Sequence, residues 1–162
     1  LRPDVSHRAR ASATERRGRR LRTIPAVSQR DVEAVRRMFA AFAQRDIATL
    51  LEVLHPDIEF TSHATAELAG RSGPYRGHEG ISLYFDDVAA VWDDLTVEPS
   101  DYRAVAGSVV IFGRVHARRG SETVDTGVIW TWRLRDGQVI WGSVFPTVDA
   151  GPAPERPAPS GA

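Results

Sequence analysis

The chain reads as an α+β protein in which helices cover one face of a curved antiparallel sheet, and three observations predict it. Ser108–Arg119, Thr123–Arg135 and Val139–Phe145 are successive strand patterns joined by tight turns, the signature of an antiparallel meander. Within the second, Val128, Trp130, Trp132 and Leu134 alternate with Ile129, Thr131, Arg133 and Arg135, the period of a sheet with unlike sides. Upstream, helical patterns carry apolar residues on one stripe only and so supply a cover for the dry side. Large aromatics on that side predict a sheet closing over a pocket for a small apolar molecule.

Ordered structure is expected to begin near Ser28, which stands three residues before Asp31 and provides first-turn capping chemistry. Val32, Val35, Met38, Phe39 and Phe42 then recur at helical spacing. A second helix is expected from Ile47 to Leu54, capped by Asp46, with Leu50, Leu51 and Leu54 inward. His55-Pro56-Asp57 breaks it, and Ile58, Phe60 and Ser62 fall on one face of the strand that follows. Residues 63–78 contain three glycines and a proline and read as a long loop of the kind that rims a site. A third helix runs from Glu79 to Trp92, with Ile81, Tyr84, Phe85, Val88 and Trp92 on its apolar stripe. Thr96–Arg103 is a further strand leading into the meander.

The ordered domain so defined spans residues 28–149 of 162. Residues 1–27 are rich in Arg, Ser and Ala without a hydrophobic period and are expected to be disordered, as is the Pro/Ala-rich tail, residues 150–162. The formal net charge of zero conceals an asymmetry: residues 1–30 hold nine Arg against Asp4 and Glu15, whereas residues 31–149 hold eleven Arg against eighteen acids. The basic arm would bind nucleic acid only weakly, through phosphates. It lacks the apolar segment that a twin-arginine export signal requires. Residue 1 is Leu and the single methionine is Met38, so a removed segment or an unusual start is expected.

The absence of cysteine excludes disulfides and thiolate metal sites and fits a cytoplasmic location. No apolar run approaches the roughly 20 residues that span a bilayer, so no membrane association is expected. No metal-binding histidine spacing and no phosphate-cradling glycine pattern occurs, so no metal or cofactor is expected.

The element order, with FAAFAQRDIATLLEVLHPDIEF, YRGHEGISLYF and RRGSETVDTGVIWTWRLRDGQVIW, resembles the nuclear-transport-factor-2-like superfamily, and within it the SnoaL-like branch related to polyketide cyclases and ketosteroid isomerase. The resemblance covers about Gln29–Asp149. It implies a cone-shaped curved antiparallel sheet wrapped by three N-terminal helices, a cystatin-like α+β roll, whose outer sheet face often makes a homodimer. The same fold hosts isomerases, cyclases, hydrolases and non-enzymes, so it carries no reaction by itself. By similarity to the ketosteroid isomerase, the oxyanion-hole tyrosine, general base and second aspartate fall on Met38, Ser62 and Trp130, none of which can perform those roles. The late-strand acid of the cyclases has no counterpart at Trp141, Ser143 and Phe145, read as inward positions.

Three residues remain as catalytic candidates: His63 as a base at the pocket rim, Tyr84 as a donor to a ligand carbonyl, and Ser62 beside them. Met38, Phe42, Leu54, Ile58, Phe60, Phe85, Trp92, Val115, Trp130, Trp132 and Trp141 are the expected ligand-binding residues. Asp86 and Asp87 read as a solvated helix face, His55 as a turn residue and His78 as a helix-entrance residue. His116 falls outside the cone with Phe112, Arg114, Thr131 and Arg133, the expected homodimer surface. The favoured function is binding of a small hydrophobic molecule. An isomerase, cyclase or hydrolase of a similar substrate is one alternative, and an interaction module with a nucleic-acid-binding arm is another.

Overall fold

The computed structural model describes residues 28–147; the two segments expected to be disordered lie outside the described residues. Helix α1 (Gln29–Ala43) starts at a capping box, in which the Ser28 hydroxyl accepts from the Asp31 N–H and the Asp31 carboxylate accepts from the Ser28 N–H. Helix α2 (Ile47–Val53) is capped by Asp46, whose carboxylate accepts from the Thr49 N–H. Strand β1 (Leu54–Thr61) follows without a gap, beginning before the His-Pro-Asp run.

The segment expected to be a long loop contains two elements. His63–Leu68 forms helix α3 and Tyr75–Arg76 the short strand β2, paired with Glu59 and Phe60 of β1. Ala-Thr-Ala-Glu-Leu is adequate helix-forming sequence for one turn and a half, and the glycine and proline content is confined to the residues after it. Helix α4 then runs from Gly77 to Val91, two residues earlier at its start than its apolar stripe suggests.

Four long strands complete the sheet: β3 (Asp94–Val105), β4 (Ser108–Arg119), β5 (Glu122–Arg135) and β6 (Gln138–Pro146). The order is β2-β1-β6-β5-β4-β3. Ala106-Gly107 and Asp136-Gly137 are two-residue hairpin loops with both φ angles positive, the primed geometry that matches strand twist. The meander is antiparallel throughout, but β1 lies parallel to β6. The sheet is therefore mixed rather than wholly antiparallel. A parallel neighbour requires a long crossover, and here everything from α3 to β5 serves as one.

A second correction concerns β6. Its pairing with β5 shifts between Arg133 and Leu134, so that Leu134 faces Val139 while Trp132 faces Gly142. Val139 and Gly142 therefore share the inner face although they are three residues apart, because a bulge breaks the period of two. Trp141, Ser143 and Phe145 consequently share the outer face with Arg133, Thr131 and Ile129, not the interior.

The core fills the space between the sheet's inner face and α1, α2 and α4. Ile58, Ile111, Val35, Val109 and Val139 are completely enclosed, and burying each such side chain contributes about 2 kcal/mol. Asp87, expected on a solvated face, is also buried. It accepts hydrogen bonds from Arg71 and, at 2.8 Å, from the Tyr75 hydroxyl, which tie the segment between α3 and α4 to α4. The Arg71 guanidinium holds its carboxyl below the usual range.

Candidate functional site

Two tryptophans on adjacent inward positions of β5 form the floor of the site, and each is accommodated by a glycine on a neighbouring strand. A side chain at Gly142 on β6 would overlap the Trp132 ring, and one at Gly113 on β4 would press on Trp130. Glycine within a strand marks such close approach. With Gly142 beneath it, the Trp132 ring reaches toward β1 and stacks on Phe60, with centroids 5.4 Å apart and planes 17° apart. Trp130 meets Phe39 of α1 edge to face at 5.1 Å. Edge-to-face and offset contacts of this kind suit the aromatic quadrupole.

Between floor and helices lies a cavity of about 60 Å³, lined by Met38, Phe39, Phe42, Leu50, Leu54, Ile58, Phe60, Ile81, Tyr84, Phe85, Val97, Trp130 and Trp132. The aromatics fill most of the cone; a cavity of about 150 Å³ is what accommodates benzene. Phe42, Tyr84 and Val97 are half-buried and form the rim. Phe42 and Tyr84 lie nearly parallel with centroids 6.2 Å apart. Arg45 covers Phe42 at 4.2 Å and donates to the Leu95 and Phe42 carbonyls, bridging the α1–α2 turn to β3.

Polar groups here are few. Burial pushes the Tyr84 phenol up to about 12, against smaller opposing effects from Ser62, the Arg45 cation and Thr65. At neutral pH it is therefore a protonated donor and not a base. Thr65, on α3, also accepts from the Trp92 indole N–H at 3.2 Å. The Trp132 indole nitrogen is fully enclosed and has no hydrogen-bond partner among the described residues.

The structure brings together Ser62 and Tyr84 of the expected catalytic set, and adds Thr65, which was hidden in the segment read as loop. It places His63 on the exposed side of α3, away from the cavity lining. Of the expected ligand-binding residues, Met38, Phe42, Leu54, Ile58, Phe60, Phe85, Trp130 and Trp132 line the cavity. Trp92 instead caps α4 and bonds Thr65. Val115 packs against the core beyond the lining, and Trp141 lies outside under Arg133, whose guanidinium is 4.2 Å from its ring. Phe39, Leu50, Ile81 and Val97 complete the lining; the first three were visible as helix-stripe residues, while Val97 is set by the β3–β4 register.

Histidines elsewhere serve local structure. His55 accepts from the Asp57 N–H, and His78 donates to the Leu54 carbonyl at 2.9 Å. His116 sits on the outer face between Glu98 and Asp125. No group of His, Asp and Glu able to hold a metal occurs among the described residues. An open hollow of about 560 Å³ lies between Gly70 and Leu83, but Arg71 and Arg76 at its edge are paired with Asp87 and Glu59.

The SnoaL-like domain model matches residues 35–141, from the buried middle of α1 to β6. The chain belongs to the SnoaL-like domain family. An uncharacterised protein of Mycobacterium tuberculosis is 34% identical over 97 residues, covering 59% of this chain and 72% of the relative. Among solved structures, an NTF2-like protein of unknown function from Burkholderia pseudomallei superposes with a TM-score of 0.67 at 18% identity, covering 74% of this chain and 92% of the other. TerC, co-crystallised with polyporic acid, superposes with a TM-score of 0.65 at 26% identity, covering 73% and 92%. SnoaL-like domains of this fold often bind or convert small molecules. No helix among the described residues is long and apolar enough to cross a membrane.

Proposed function

We propose that this SnoaL-like protein binds a small, flat, largely apolar molecule in the cone cavity and acts by recognition rather than turnover. The cavity lining carries this reading: of thirteen lining residues, Tyr84 alone has a titratable side chain, and its phenol stays neutral at physiological pH. Such a lining rewards apolar surface and leaves few groups to set orientation. The likeness to TerC, co-crystallised with polyporic acid, supports a flat aromatic ligand. A ligand as large as a ring requires Phe42 and Tyr84 at the rim to turn aside, since the cavity is about 60 Å³.

The adjacency of Tyr84, Ser62 and Thr65 favours a second reading, in which Tyr84 polarises a substrate carbonyl in an isomerase, cyclase or hydrolase reaction. Turnover of a small apolar substrate abolished by Tyr84→Phe at unchanged fold would establish it. Native mass spectrometry of the protein purified from its own cells, followed by titration with polyporic acid, separates the readings. A small-molecule adduct on the folded state supports binding, whereas an apo mass with no uptake across a panel of flat aromatics overturns it.

The outer sheet face is the proposed surface for a second copy. Phe112, Trp141 and Phe145 lie there with Arg133 and with the adjoining Glu98, Arg114 and Asp125, the last two of which are ion-paired, and Phe145 is 46% exposed. Both charge signs on one patch suit the self-complementarity of a two-fold interface. Light scattering at tens of micromolar should give a dimer, and Phe112→Asp a monomer; a native monomer contradicts the assignment.

A further inference from the structure

Tyr84 borders the cavity, and four rings surround it: Phe42, Phe60, Tyr75 and Phe85, with centroids between 5.0 and 6.2 Å away. Three of them are firmly placed. Phe42 and Phe85 belong to the long helices α1 and α4, and Phe60 to β1, a strand inside the sheet. Tyr75 belongs to the two-residue strand β2 at the sheet's edge. It also borders the open hollow of about 560 Å³ between Gly70 and Leu83. Tyr75 therefore stands between that hollow and the ring at the cavity rim.

The connection from α3 to α4, residues 69–76, is a strap whose buried polar tie is a single carboxylate. Asp87 of α4 accepts from Arg71 through two guanidinium nitrogens and from the Tyr75 hydroxyl at 2.8 Å. The other ties are weaker. Arg76 pairs with Glu59 at the surface, with side chains 70% and 36% exposed, and exposed pairs contribute little. β2 meets β1 at Tyr75 and Arg76 alone. Gly73 and Gly77, both at positive φ, flank Pro74-Tyr75-Arg76 and give the backbone conformations there that other residues lack.

Resting on the binding reading above, we infer that this strap is a latch on the cavity: a ring-sized ligand makes room by pressing Tyr84 against Tyr75, which moves toward the hollow and leaves Asp87. Of the four rings around Tyr84, Tyr75 is the one with open space on its other side. The Tyr75–Asp87 bond holds the cavity near 60 Å³ until a ligand offsets its loss. Ligand and latch then oppose each other by linkage. Whatever weakens the bond tightens ligand binding, and a bound ligand loosens the strap.

Indane and xenon test this on the full chain. Indane is a flat hydrocarbon that needs the added room, whereas xenon is a single atom that occupies dry apolar cavities as they stand. Tyr75→Phe keeps the ring and removes its bond to Asp87. The variant should bind indane about fivefold more tightly than the unmodified protein, the equivalent of one hydrogen bond, with xenon affinity unchanged. In the unmodified protein, amide hydrogen exchange in the strap should rise with saturating indane and stay constant under xenon, a readout that needs no variant to fold. Equal indane affinity in the two proteins, or strap exchange that does not rise, overturns the latch and leaves the cavity reading standing. Xenon uptake with indane refused by both proteins overturns the latch alone as well. Binding of neither probe by either protein overturns both.

Discussion

Trp132 and Gly142 face one another across β5 and β6, and the indole occupies the place where any other residue at 142 would put its Cβ. The ring therefore lies low on the sheet and reaches Phe60 two strands away. The cavity floor depends on a missing side chain as much as on a present one.

Gly142→Ala should consequently destabilise the fold by about 1–3 kcal/mol, the cost of overpacking a filled core. Denaturant unfolding monitored by tryptophan emission checks it. Combining Gly142→Ala with Trp132→Leu should cost less than the sum of the single changes, since the two share one space.

Phe42→Ala should act in opposite directions on stability and binding. Loss of a half-buried ring that contacts Phe85 and Tyr84 costs about 2–3 kcal/mol. It also widens the cavity of about 60 Å³ at its rim. Calorimetric titration should show a flat aromatic bound more tightly by the variant, and weaker binding would mean that Phe42 is a contact and not a gate.

All three tyrosines, Tyr75, Tyr84 and Tyr102, have phenols raised by burial. Each folded-state value lies above the unfolded one, so the stability they contribute is complete below pH about 10 and is lost as pH rises beyond it. Absorbance of tyrosinate should therefore be displaced above its ordinary range in the folded protein and emerge together with unfolding. Tyr84→Phe should flatten the alkaline limb of the stability curve. A normal titration near pH 10 with tertiary structure intact would contradict the burial of these hydroxyls.

Asp87 behaves in the opposite sense. Arg71 and Tyr75 hold its carboxyl below the usual 3.8, so its contribution is complete above that value and lost as pH falls toward the folded one. Asp87→Asn should cost about 2 kcal/mol at neutral pH, where a hydrogen-bonded charge is removed, and should lessen the acid dependence of stability. Thermal melts between pH 3 and pH 7 would show it; parallel curves for the two proteins would not fit this role.

Period and capping made much of the fold legible before any coordinates. The stripe Val35, Met38, Phe39 and the alternation Val128, Trp130, Trp132 depend on local geometry alone, and so did most of the cavity lining. Ser28 and Asp46 marked helix starts because unpaired N–H groups need an acceptor there. Three features were not legible. A bulge turned Trp141 outward, since one extra residue reverses the parity of all that follows. Helix α3 was concealed by the glycines after it, and Thr65 with it. Asp87 looked solvated because its partners Arg71 and Tyr75 are brought to it by the connection between α3 and α4.

The sequence by itself determined an α+β chain with one dry sheet face, an aromatic interior and a SnoaL-like character, because these follow from residue type and spacing along single elements. Tertiary structure alone decided that β1 joins β6 in parallel, that the aromatics narrow the cavity to about 60 Å³, and that among the described residues Trp132 has no acceptor while Trp92 has one. Those outcomes depend on distances between elements remote in the chain, which no local period encodes.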